Sequence, residues 1–200
     1  GDGRNFGGSY VDTPEPTRAS PCRRDRELHG RRGIAELRRA PGVAALRVAA
    51  ISFEVRAEGL SLYDKLDAVV AGAAGQGARL IVLPELVVLG AYSGSIEALA
   101  NQADGFQHRL AELSKRLDVM IVGGSCIDRY RTGMRNVCPV VHPDGSIERV
   151  EKHVLTQWER HEWGLEAGAV PTAVCDVGVL ICYDSEFPEL ARPLARAGAR

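Results

Sequence analysis

Short apolar runs alternate along the chain with longer amphipathic stretches. Ala45–Ile51, Leu80–Leu83, Val119–Val122 and Val177–Ile181 are almost wholly apolar, four to seven residues long, and flanked by turn formers or charge. Runs of that length predict strands, and Leu80–Leu83 and Val177–Ile181 read as strands buried on both faces. Between the first two, Ser61 predicts a helix cap with Asp64 at the third helical position. Leu62, Leu66, Val69, Val70 and Ala73 then recur at helical spacing until Gly75 and Gly77. A strand, a helix and a strand in that order predict a parallel pair joined by a right-handed crossover. Phe106, Leu110, Leu113 and Leu117 predict a second helix, closed by Asp118. Asn136–Val141 and Ser146–Val150 flank His142-Pro143-Asp144-Gly145, the pattern of a hairpin. Trp158 to Gly168 reads as a loop or a short helix. Ala173–Cys175 and Val177–Ile181 read as a two-strand passage bending near Asp176. Pro188 suits the first position of a last helix, which Pro193 should kink or restart. The alternation predicts an α/β domain.

Residues 1–45 break this pattern. They are dense in Gly, Arg and Pro, with the pairs Arg23-Arg24, Arg31-Arg32 and Arg38-Arg39. Such composition buries little apolar surface, so a disordered or loosely structured extension is expected, with the domain proper at residues 46–200. A net charge of −1 gives no electrostatic case for nucleic acid or an anionic membrane. The apolar runs fall well short of a membrane span, and the N-terminus lacks a secretory-signal pattern. A cytoplasmic protein is the expectation. The five cysteines, Cys22, Cys126, Cys138, Cys175 and Cys182, have no framework spacing and no Cys-x-x-Cys pair, so neither disulfides nor structural zinc are expected. His161-Glu162 lacks the second histidine of a zincin helix. No metal and no cofactor are expected.

Chemistry gathers at three run ends. Cys182 lies where Val177–Ile181 gives way to polar residues, just before Pro188-Glu189. A strand turning sharply into a helix there would expose the sulfur and free the Tyr183 N–H for an oxyanion. Glu85 ends Leu80–Pro84, and Lys152, one of only three lysines, follows the hairpin. The stretches Leu83-Pro84-Glu85-Leu86, Glu151-Lys152-His153-Val154-Leu155 and Gly178-Val179-Leu180-Ile181-Cys182-Tyr183-Asp184-Ser185-Glu186-Phe187-Pro188-Glu189 resemble, in order and spacing, the motifs of the carbon–nitrogen hydrolase (nitrilase) superfamily. The resemblance runs from about Leu46 to the end.

That resemblance implies an α-β-β-α sandwich of two sheets, of which this chain supplies about two-thirds and is incomplete at the C-terminus. It also implies a Glu-Lys-Cys triad. Cys182 would be the nucleophile, Glu85 the general base and acid, and Lys152 the oxyanion donor with the Tyr183 N–H. A second carboxylate beside the lysine matches Glu159, with Glu162 as the alternative, and His153 is expected to pack nearby. Residues Gly90–Gly94 would line the substrate pocket. Glu186 stands where some carboxylate-recognising relatives carry arginine, which argues against a substrate with a free carboxylate. The activity implied is hydrolysis of a non-peptide C–N bond in a small linear amide. Nitrile hydrolysis and acyl transfer would use the same triad, and an inert fragment or interaction module is the non-catalytic alternative. A homodimer is implied by analogy alone.

Overall fold

The computed structural model describes residues 46–52, 61–91 and 95–199. All of them belong to one compact unit, Ile34–Arg200. The N-terminal extension and part of the expected pocket loop, residues 92–94, lie outside the described residues.

The chain alternates as the apolar pattern demands. The elements in order are β1 (Val48–Ala50), α1 (Leu62–Gly75), β2 (Leu80–Val82), a 3-10 turn (Val87–Ala91), α2 (Ile96–Ala100) and α3 (Ala103–Leu117). There follow β3 (Met120–Val122), β4 (Cys126–Arg129), β5 (Met134–Val141), β6 (Ile147–Glu151) and α4 (Gln157–His161). A 3-10 turn at Cys182–Glu186 leads into α5 (Pro188–Arg196). Ser61 caps α1 by accepting the Asp64 N–H at 3.1 Å. Asp118, in the left-handed conformation at φ 53°, ends α3.

The strands form one sheet. β1, β2 and β3 run parallel, as the strand-helix-strand order predicts. β5 pairs antiparallel with both β3 and β4 along one edge and with β6 along the other. The pleat sorts the side chains. Ile81, Ile121 and Val141 face α1 and α3, packing with Leu66, Val70, Phe106, Leu110 and Leu113. Leu80, Val122, Val140 and Val150 face the other way, against Val174, Val179 and Ile181. Neither sheet nor helix alone hides these residues, so the site described below is held by packing on both faces. No helix among the described residues is long and apolar enough to cross a membrane.

The described residues build one sheet packed with helices, the α/β class expected of an incomplete sandwich. Other expectations need correction. Val177–Ile181 is not a ladder strand. It makes one isolated bridge, Val174 to Val177, and the Ile181 N–H goes to the Asp184 carboxylate at 3.1 Å. Its apolar content still buries Val179 and Ile181. A strand needs a paired neighbour, whereas burial needs only a greasy face. α5 runs on through Pro193 without restarting, and the Ala197 N–H reaches the Pro193 carbonyl at 2.9 Å. In so short a helix the proline removes a single bond. β4 and α2 were not anticipated. β4 reads Cys-Ile-Asp-Arg, too short and too polar to stand out, and is held by its four-residue register with β5.

One backbone contact aims the end of β2. Gly124, at φ 69°, lies so close to Pro84 that an added Cβ would sit 2.0 Å from the Pro84 carbonyl oxygen. Left-handed φ and lack of space both demand glycine. Gly124→Ala should therefore lower the melting midpoint by several degrees and displace Glu85, the next residue along. A thermal melt checks the first, and unchanged stability would show that this approach is not needed.

Candidate active site

Three chain segments converge at the ends of strands. Glu85 follows β2 across Leu83-Pro84. The chain turns immediately afterwards, with Leu86 at φ 50° and its N–H donating to Ser125 Oγ at 3.0 Å. Lys152 follows β6, and its N–H donates to the Asn136 carbonyl on β5 at 2.8 Å. Cys182 opens the 3-10 turn at φ 46°, a left-handed conformation rare for a residue with a Cβ. The expected elbow is therefore present, although no ladder strand leads into it.

The three side chains meet. Lys152 Nζ is 2.8 Å from Glu85 Oε1 and 2.8 Å from both carboxylate oxygens of Glu159. The ammonium is almost completely buried, with 1% of its side chain exposed, and Glu159 is buried beside it. A buried cation needs paired anions and hydrogen bonds, and this one has two carboxylates. Burial alone would depress the Lys152 pKa, but the hydrogen bonds to Glu159 and Glu85 outweigh it and hold the value above its ordinary 10.5. Burial would raise Glu159. The bonds it accepts from Lys152, Asn136 and the Thr156 N–H reverse that and hold it below its ordinary 4.5.

Glu159 is itself held by the start of α4. Its Oε2 accepts the Thr156 N–H and hydroxyl, both at 2.9 Å, while the Thr156 hydroxyl accepts the Glu159 N–H at 3.2 Å. This reciprocal capping box pins the carboxylate while it receives the lysine. The alternative, Glu162, lies exposed beyond α4.

Cys182 is exposed, and its thiol lies close enough to Glu85 and Lys152 for both charges to act on it. Partial burial and then the neighbouring Glu85 carboxylate push the thiol pKa up, favouring the protonated sulfur; Lys152 opposes them. Tyr183 lies beside it, 40% exposed, its ring edge-on to Phe187 at 5.3 Å. The first hydrogen bond of the 3-10 turn is Asp184 N–H to the Ile181 carbonyl, so the Tyr183 N–H precedes the turn's own bonding. His153 Nδ1 sits 2.9 Å from the Gly168 carbonyl, the packing role expected of it.

Asn136 was missed from sequence. It is fully buried on β5, and its Nδ2 donates to Glu85 Oε1 and to Glu159 Oε1, both at 3.0 Å. It joins the two carboxylates that share the lysine. The signal in the sequence was a lone amide inside a predicted strand, where Asn is disfavoured. Glu186 is exposed. A separate cavity of about 580 Å³, lined by Asp104, Asp128, Arg129, Tyr130 and Arg149 among others, includes none of the converging residues.

Comparison with known proteins identifies the family. The family model described as carbon–nitrogen hydrolase matches residues 44–200. An omega-amidase of Danio rerio is 28% identical over 79% of this chain and 62% of its own length. A nitrilase of Pyrococcus abyssi is 33% identical over 68% of this chain and 55% of its own length. The crystal structure of an amidase from Nesterenkonia sp. superposes with a TM-score of 0.65 at 26% identity, over 78% of this chain and 62% of that one. The chain thus spans about six-tenths of the length of these relatives. With the family match extending over nearly all the described residues, the chain belongs to the carbon–nitrogen hydrolase family.

Proposed function

We propose that this protein hydrolyses small linear amides through a thioester on Cys182, with Glu85, Lys152 and Cys182 as its catalytic residues. One observation carries the reading. The Glu85 carboxylate accepts the Lys152 ammonium at 2.8 Å and acts on the neighbouring Cys182 thiol. An amide carbon is a poor electrophile, so the site must make a strong nucleophile at the moment of attack. Glu85 would take the thiol proton as sulfur adds to the carbonyl carbon. Lys152 Nζ and the Tyr183 N–H would donate to the oxyanion. Glu85 would return the proton to the departing nitrogen as the C–N bond breaks. Glu85 then takes a proton from water, whose oxygen attacks the thioester, and gives it back to the sulfur as the acid leaves. Amide and water become acid and amine, with every group restored.

Glu159 takes no proton in this scheme. Held by Thr156 and Asn136, it keeps Lys152 charged while Glu85 cycles between its two forms. The exposed acid at Glu186 favours neutral amides over substrates with a free carboxylate, although several relatives are named omega-amidases. The same centre would hydrolyse a nitrile to the acid and ammonia, and the Pyrococcus relative is named a nitrilase.

The test is ammonia release from short aliphatic amides, with and without a terminal carboxylate, and from the matching nitriles. Release from the neutral amides is the expected result, slowed about 10²–10⁴-fold by Glu85→Gln. Unchanged turnover in that variant would refute the general-base role.

A further inference from the structure

Asp184 is fully buried and takes no part in the scheme above. A carboxylate buried without a cation needs several donors, and Asp184 finds them on the backbone. Its Oδ1 accepts the His153 N–H at 3.2 Å and the Val154 N–H at 2.7 Å, and its Oδ2 accepts the Ile181 N–H at 3.1 Å. These donors stand on two different segments. His153 and Val154 directly follow Lys152, and Ile181 directly precedes Cys182. Among the described residues no backbone–backbone hydrogen bond joins these two segments.

We propose that Asp184 is a positioning residue, a clamp that locks the backbone behind the lysine to the backbone ahead of the nucleophile and so sets the distance between ammonium and sulfur. The proposal rests on the triad reading above. Cys182 at φ 46° is in a conformation that persists only when its surroundings over-determine it. Asp184 supplies that restraint twice, through its side chain on the Ile181 N–H and its own N–H on the Ile181 carbonyl at 3.1 Å. The four-residue turn from Ile181 to Asp184 is closed at both ends, with Cys182 inside it. The same carboxylate then reaches across to the lysine segment. Errors of about 1 Å in such a site lower rates by up to about 10²-fold.

Asparagine has the shape of aspartate but only one acceptor oxygen. In Asp184→Asn an NH₂ group must face either the Ile181 N–H or the His153 and Val154 N–H pair, and that side opens. The experiment is residue-resolved amide hydrogen exchange on the wild-type chain and on Asp184→Asn, together with steady-state kinetics and the rate of Cys182 alkylation by iodoacetamide, mapped by peptide mass. In wild type the amides of residues 153, 154 and 181 should exchange slowly, although none lies in a strand or helix. In Asp184→Asn at least one side should exchange more than tenfold faster. The Cys182 alkylation rate should change, and kcat should fall about 10–100-fold with KM within about threefold. Fast exchange of these three amides in wild type overturns the clamp even if the variant does not fold. Unchanged exchange and kcat in a folded variant overturns it as well. If wild type turns over no amide, the catalytic reading fails, while the exchange and alkylation data still decide whether the clamp exists.

Discussion

Lys152→Met should destabilise the fold by about 3–5 kcal/mol at neutral pH and slow amide turnover by about 10²–10³-fold. Methionine fills a similar volume without charge. It leaves Glu85 and Glu159 joined through Asn136 with no cation between them. Glu159 is almost wholly buried, so its charge becomes a buried, uncompensated one. The pH dependence follows from the two shifts. Glu159 is held below its ordinary 4.5, so it contributes stability above that value and loses it as pH falls through its folded pKa. Lys152 is held above its ordinary 10.5, so its contribution is full below that value and is lost as pH rises through its folded pKa. The difference between wild type and Lys152→Met should therefore be greatest between these limits and should shrink below pH 4.5. Denaturant unfolding at pH 7 and at pH 3.5 checks this. An equal difference at both would separate the stability of the site from its ion pairs.

Cys182→Ala should abolish turnover, by about 10⁴-fold or more, and should leave the fold intact. The sulfur is exposed and supports no part of either apolar cluster, so its loss opens no cavity. Its left-handed backbone is no worse for alanine than for cysteine. Contrast Cys138, which is buried among Val122, Val140 and Val150, with its thiol pKa pushed up to about 12 by burial. Cys138→Ala should cost stability and spare the chemistry. The two variants separate a reacting sulfur from a packing one through melting midpoint and ammonia release alone.

These contrasts show which parts of the molecule were legible in the sequence. The helix over Leu62–Gly75 and the helix ending at Asp118 were readable because one face repeats at helical spacing and a capping residue stands at a boundary. The hairpin was readable because Pro-Asp-Gly interrupts two apolar runs. Glu85, Lys152 and Cys182 were readable as run ends, and Glu159 as an acid near the lysine. What linked them was not. Asn136 acts through its register against the strand that leads into Lys152, and register depends on the whole sheet. Asp184 serves three backbone groups, and backbone groups carry no sequence signature. Val177–Ile181 misled for a related reason. Its composition reports burial, and burial alone does not supply a hydrogen-bonding neighbour.

The proposed catalysis depends on the acid, the amine and the sulfur acting together on one carbonyl carbon. The most direct measurement is acid-quenched mass spectrometry of the protein during turnover of a short neutral amide, followed by peptide mapping. The expected result is an added acyl group, the substrate less its amine, on Cys182, absent in Cys182→Ala. Steady ammonia release with no acyl group on Cys182, and undiminished by Cys182→Ala, would contradict it.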